Sequence, residues 1–489
     1  YFYLNNIHSL YDPSIIEFIE GWRFDISALV YINIPFLILI LFPKKFRERN
    51  GFIRFANILF YTINIPFILL NNIDIEYFRF TQKRSTIDLF QLLQLGEDAK
   101  NIIPQYIRNY WPITLFTFIQ CWLLLKIKYL PKKSISVNTK KILPHILTLI
   151  IAGGLFILSA RGGIQLKPIK PINAGELSGS QNTALILNTP FCILHSINEK
   201  PLKTYNYFNL KKLKQIYSPI HLLSEQEMKK QNIVILIMES YSKEFIGFYN
   251  NGIGYTPFLD SLMQHSLVFT NAYANGLKSI EALPAITASI PALMNNPFIT
   301  SNYAQNNFES IASLLNQEEY STSFYHGGAR GTMGFYSFSK KAGFAEYFGM
   351  EEYNNLNDFD KAWGIYDGPF IQFFAKQLNT KKEPFLSTFF SLSSHPPYTL
   401  PDNYLKEQNK TGSIKSIGIR ETISYSDYCM SSFFQKSKNQ EWFKNTIFII
   451  TADHTSVVNY TKKYKNRIGR YAVPLIIFKG DNSLKGINN

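Results

Sequence analysis

Four side chains in the second half of the sequence are of the types that share one metal ion and one phosphoryl group. The apolar run "NIVILIMES" ends in Glu239, and the run "TIFIITADH" ends in Asp453 and His454, so two stretches far apart in the chain both finish in potential metal ligands. Carboxylate oxygens and an imidazole nitrogen suit manganese, zinc or magnesium. Taken singly, Glu239 also reads as a helix cap and the Asp453–His454 pair as an ordinary turn; taken together they point to a shared site. The fourth is Ser279 in "ANGLKSIEALPAI", which follows a glycine-containing turn and precedes a helix-like run. A serine there is equally an N-cap, and the two roles are compatible. A nucleophile at a helix N-terminus sets the transferred phosphate against free backbone N–H groups and the positive end of the dipole. A metal touching the hydroxyl would lower its pKa and make the alkoxide accessible.

These residues need a scaffold that brings strand ends together. From Asn232 onward, apolar strand-like runs alternate with helix-like ones. "NIVILIM", "LVFTNAYA", "YSTSFYH", "PFLSTFFSLSS", "NTIFIITADH" and "YAVPLIIF" read as strands, the second as strand or loop. "TPFLDSLMQHS", "ESIASLLNQEE" and "ETISYSDYCMSSFFQKS" read as helices. The alternation predicts an α/β domain over 231–489 with a mainly parallel sheet between helices, whose ligands sit at the carboxyl ends of the strands.

The first 160 residues have a different texture. Of 489 residues 46% are hydrophobic, 16% aromatic and only 17% charged, a balance that points to a membrane part. Four apolar stretches, Ile26 to Pro43, Phe52 to Leu70, Tyr110 to Leu130 and Leu143 to Ala160, are long enough to cross a bilayer, which takes roughly 20 helical residues. Lys44, Lys45, Arg47 and Arg49 follow the first; Lys132, Lys133, Lys140 and Lys141 separate the third from the fourth. Positive loops stay in the cytoplasm, so the loop from Asn71 to Asn109 and everything after Ala160 are expected outside. This topology describes a multi-pass protein of the inner, or cell, membrane with residues 161–230 as an extracytoplasmic linker. The sequence opens without methionine and in mid-pattern, and stops after a strand and a polar loop. It therefore reads as a fragment at both ends, with a first span missing and the catalytic domain C-terminally incomplete.

The net charge of +15 does not indicate nucleic acid, because the basic residues cluster beside apolar runs rather than on one face. Three widely spaced cysteines, Cys121, Cys192 and Cys429, indicate neither a disulfide framework nor a thiolate metal site.

The motifs "VILIMESYSKEFIG", "TPFLDSL", "FTNAYANGLKSIEALPAI", "YHGGARGTMGF", "FFSLSSHPPY" and "FIITADHT" resemble, in order and spacing, those of the lipoteichoic acid synthase family. That family is a phosphoglycerol transferase-like branch of the alkaline phosphatase and sulfatase superfamily, and the resemblance is to the version found in Bacteroidetes-type bacteria. The resemblance implies five membrane spans and an extracellular catalytic domain. It implies one divalent cation, manganese above zinc or magnesium, held by Glu239, Ser279, Asp453 and His454, with Ser279 the nucleophile. His395 would bind the substrate phosphate or protonate the leaving group, although it also reads as a loop histidine stiffened by Pro396 and Pro397. His326 and Arg330 are further candidates for substrate contact. The implied partners are a membrane phospholipid as donor and an envelope glycan or lipid as acceptor.

Two departures bear on this. Lipoteichoic acid synthases use threonine where this chain has Ser279, which keeps the hydroxyl. The tryptophan and arginine they place after the "HG" motif are replaced by Met333 and Phe335, which leaves the substrate open. A sulfatase would need Cys or Ser followed by x-Pro-x-Arg, whereas Ile280, Glu281, Ala282 and Leu283 follow Ser279. A phosphoethanolamine transferase or phosphodiesterase of the same fold is the alternative enzyme. A membrane sensor or scaffold is the alternative without chemistry.

Overall fold

The computed structural model of the chain describes residues 1–488 apart from 41, 43, 88, 93–106, 129–141, 180, 200, 201, 203, 204, 219–227 and 410–416. The chain divides into two compact units. One holds Tyr1–Glu199 with the segments Phe298–Glu309 and Met333–Ala342; the other holds Lys200–Pro297, Ser310–Thr332 and Gly343–Asn489.

In the second unit an eight-stranded sheet is built from β1 (Asn232–Met238), β2 (Leu267–Phe269), β3 (Ser321–His326), β4 (Glu346–Phe348), β5 (Phe385–Phe390), β6 (Thr446–Ala452), β7 (Leu475–Lys479) and β8 (Gly486–Asn488). Their order is β4-β3-β5-β1-β6-β7-β2-β8, and every pairing is parallel except those of β7 with β6 and β2. The unbroken apolar runs of β1 and β6 are what a parallel strand covered on both faces requires. Along β1, Val234, Leu236 and Met238 alternate with Ile235 and Ile237, and all five are buried. The register pairs Ile237 with Phe390 on one side and Met238 with Ala452 on the other, so β1, β5 and β6 end level. Helix Ile419–Ser437 buries Ile423, Met430 and Phe433 at helical spacing and packs on helix Asp367–Leu378. β4 and β8, three residues each, were not expected from the sequence.

In the first unit the expected apolar stretches are helical: Ile15–Ile32 and Ile34–Ile40 bent by 61° at their junction, Asn50–Thr81, Trp111–Lys126 and Ile142–Arg161. Among the described residues one helix, Asn50–Thr81, is long and apolar enough to cross a membrane, or two helices if the bent pair is one span. The span ends Pro43 and Leu130 and the basic residues Lys132, Lys133, Lys140 and Lys141 lie outside the described residues.

The loop expected from Asn71 is corrected, because its first 11 residues continue helix Asn50–Thr81. The polar residues there do not break the helix because they are satisfied within the unit. Asn72 Nδ2 donates to Thr117 Oγ1 (3.0 Å) and Gln120 Oε1 (2.6 Å), and Asp74 accepts from Ser85 N and Thr189 Oγ1. Nor do residues 171–179 and 181–196 run as an open connection. They form short helices whose Ile186, Leu187, Phe191 and Cys192 join Phe24 and Ala28 in one core.

Candidate active site

The level ends of β1 and β6 place Glu239 beside Asp453. The first residue past β6, Asp453, donates its N–H to Met238 O (3.2 Å), and the first past β1, Glu239, donates its own to Ser391 Oγ (2.7 Å). Ser240 then turns the chain with φ 59°, a left-handed conformation uncommon outside glycine. That turn aims its N–H at Asp453 Oδ1 (2.8 Å) and its hydroxyl at Glu239 Oε1 (2.8 Å). Ser279 is the first residue of helix Ser279–Ala288, with Lys278 rather than Ser279 as the N-cap. Its side chain is thus left free of the capping role. It donates to Glu239 Oε2 at 3.2 Å and lies 3.3 Å from His454 Nε2.

His454 is oriented by its other nitrogen. Nδ1 lies 2.9 Å from Thr455 O, which fixes the proton there and turns the lone pair of Nε2 inward. That lone pair is 3.2 Å from Asp453 Oδ2 and 3.7 Å from Glu239 Oε1. Glu239, Ser279 and Asp453 are buried. Burial first, and then the neighbouring Asp453 charge, hold the Glu239 carboxyl well above the usual carboxylate range.

This donor set fits a divalent cation. Asp453 Oδ2 is buried without a hydrogen-bond donor, and two adjacent buried carboxylates face an imidazole lone pair instead of a fixed cation. A four-coordinate site with bonds of about 2.0–2.1 Å has ligand-to-ligand edges of about 3.3 Å, close to the separations among Ser279 Oγ, His454 Nε2, Glu239 and Asp453.

The remaining expected residues are placed differently. His326 ends β3 with Nδ1 3.4 Å from Phe390 O; burial lowers its pKa to about 4, partly opposed by that carbonyl and by the charge of Asp453. Arg330 is exposed and its guanidinium ion-pairs with Glu352, while its N–H donates to Glu351. His395 is half-buried, its Nδ1 2.7 Å from Pro396 O and its ring 4.3 Å from that of Trp363. Met333 and Phe335 belong to the first unit.

Several residues around the site escaped the sequence reading. Trp363 donates its indole N–H to Pro396 O (2.7 Å) and so braces the turn carrying His395. Asp367 accepts from Leu392 N (2.7 Å), Ser393 N (3.2 Å) and Ser426 Oγ (2.9 Å), which fixes the segment between Ser391 and His395. Both lie in "WGIYDGPF", where a lone acidic residue among aromatics was the available signal.

Residues 231–489 match the sulfatase family model. Among curated proteins, the chain is similar to lipoteichoic acid synthase-like YvgJ of Bacillus subtilis strain 168, with 23% identity over 240 residues, 47% of this chain and 37% of that protein. Lipoteichoic acid synthase 1 of the same organism is 25% identical over 252 residues, 50% of this chain and 39% of that protein. Among solved structures, a protein in the alkaline phosphatase superfamily from Vibrio parahaemolyticus aligns with a TM-score of 0.47 and 29% identity, covering 54% of this chain and 63% of that one. The chain spans about two-fifths of the length of the curated relatives it matches.

Proposed function

The chain belongs to the sulfatase family, and from that premise we infer that it transfers a phospho-alcohol group, of the phosphoglycerol kind, from a membrane lipid to an envelope acceptor through a covalent ester on Ser279. The observation that carries this reading is the Ser279 hydroxyl, buried against Glu239 and His454 at the positive end of a helix. Phosphorus rather than sulfur is favoured by Ile280–Leu283, which lack the x-Pro-x-Arg pattern of a sulfate-ester hydrolase. All three cysteines are free, which favours this transfer over that of a disulfide-rich phosphoethanolamine transferase.

Glu239, Asp453, His454 and Ser279 Oγ would hold a divalent cation, manganese in our reading, which when bound lowers the pKa of the hydroxyl and offsets charge on the phosphoryl oxygens. Ser279 Oγ gives its proton to solvent and attacks phosphorus in line. The Oγ–P bond forms as the bond from phosphorus to the donor's alcohol oxygen breaks, and that oxygen takes a proton from His395. In the second half an acceptor hydroxyl returns a proton to His395 and attacks phosphorus. The P–Oγ bond breaks and Ser279 recovers its proton.

A membrane setting is part of the proposal. Phe118, Trp122, Ile150 and Leu155 stand exposed on the apolar helices of the first unit, where lipid would cover them. In this reading the chain is multi-pass, with the catalytic unit outside the cell membrane and facing a lipid-borne donor. Ser279→Ala tests the reading. Headgroup release from fluorescent phospholipid with Mn2+ should vanish while cation binding persists, and wild-type turnover in that variant would refute the nucleophile.

A further inference from the structure

In a chain of net charge +15, one cavity of about 1000 Å³ in the catalytic unit is acidic. Among the described residues, Asp358, Asp360, Asp402 and Glu407 line it against one amine, Lys361. Five tyrosines also line it. The rings of Tyr404 and Tyr428 are 5.5 Å apart and tilted, and Tyr428 is 52% exposed, so an aromatic surface is open to a ligand. Asn403, Thr399 and Gln372 add amide and hydroxyl groups. The volume is at the upper end of ligand clefts, about 300–1000 Å³, and suits an extended molecule better than a compact one.

The lining of the cavity adjoins the turn that carries His395. Its lining includes Ala362 and Pro397, the chain neighbours of Trp363 and Pro396, which are joined by the indole hydrogen bond beneath His395. Tyr398 in the same lining lies close enough to Ser456, just beyond His454, and to Glu239 for both to act on its phenol.

We propose that this cavity binds the acceptor, and that the acceptor is a glycan chain without negative charge. The inference rests on the transfer reading above and names its second substrate. Flat tyrosine faces take the C–H faces of sugar rings, while carboxylate, amide and hydroxyl groups accept from or donate to ring hydroxyls. A polyanion is turned away: four carboxylates, against one amine among the described residues, repel a phosphate or uronate chain. The bound glycan presents a terminal hydroxyl toward His395 and Ser279.

The test is binding of a panel of neutral, amino-substituted and anionic oligosaccharides, including polyglycerol phosphate, to the purified full chain in detergent. Neutral or amino glycans should bind and the anionic ones should not. Tyr428→Ala, at an exposed position, should weaken that binding about tenfold, the loss expected of one aromatic contact. Asp402→Asn should narrow the gap between neutral and anionic ligands. Preferential binding of anionic chains, no glycan binding, or binding indifferent to Tyr428→Ala would overturn the proposal. On the same samples, Mn2+-dependent hydrolysis of bis(p-nitrophenyl) phosphate reports on the phosphoryl chemistry alone. Its absence in the wild type would count against the transfer reading while glycan binding still stood.

Discussion

Asp74 in the N-terminal unit and Asp453 at the end of β6 are equally withdrawn from water, at 0% and 2% exposure, yet they are treated in opposite ways. Asp74 accepts from Ser85 N, Ser85 Oγ and Thr189 Oγ1 and pairs with Arg84, itself buried and stacked 3.5 Å over the Phe2 ring. Asp453 uses one oxygen to accept two backbone N–H groups and leaves the other without a donor, beside a second buried carboxylate. A charge fully matched by its own protein is a structural tie. A carboxylate oxygen left bare beside a second buried carboxyl raises the energy of the folded state and is compensated only when something else binds, which is why the contrast locates the site.

The two aspartates should therefore respond differently to loss of charge. Asp453→Asn should lower metal-dependent turnover by about 10³-fold or more, since a ligand is lost, while the metal-free protein becomes no less stable. Metal titration beside thermal unfolding, with and without chelator, measures both effects. In Arg84→Met the Asp74 charge stays buried without its partner, and about 3–5 kcal/mol of stability should go, read from denaturant unfolding. If Asp453→Asn instead destabilises the chelated protein as strongly as Arg84→Met does, the contrast fails.

Smaller effects probe the supports of the site. Asp367→Ala strips the acceptor from three donors that hold the segment before His395, a loss of about 1–3 kcal/mol. It should depress kcat more than KM, and Asp367→Asn, which keeps one acceptor oxygen, should recover part of both. The smallest expected effect belongs to Asp427, which caps helix Pro257–Met263 by accepting from Phe258 N and Leu259 N. Burial pushes its carboxyl up from 3.8 to about 7, against the pull of those two bonds. The folded state then holds a proton that the unfolded chain has released, so this residue's contribution to stability falls as pH rises from about 4 to about 7. Comparing unfolding of the wild type and Asp427→Asn across that window isolates the slope; a parallel pair of curves would remove the assignment.

The second unit was largely readable because parallel strands covered on both faces must be continuous apolar runs, and β1 and β6 announce both themselves and the polar residues at their ends. Glu239, Asp453 and His454 were legible for that reason, and Ser279 from the turn and helix around it. Ser240 and Asp367 were not, since they act through backbone N–H groups whose positions exist only after folding. The assignment of Phe298–Glu309 and Met333–Ala342 to the N-terminal unit was hidden too, because neighbours in sequence there belong to different cores. Helix Asn50–Thr81 outran its apolar stretch because Asn72 and Asp74 found partners on other elements, which no local pattern reveals.

The most direct test of the account is the mass of the peptide carrying Ser279 after the full chain is incubated with Mn2+ and phospholipid and quenched in acid. We expect a phospho-alcohol ester on Ser279 that is absent without metal and absent in Asp453→Asn. Turnover of the lipid with Ser279 unmodified at every time point, and undiminished in Ser279→Ala, would contradict it.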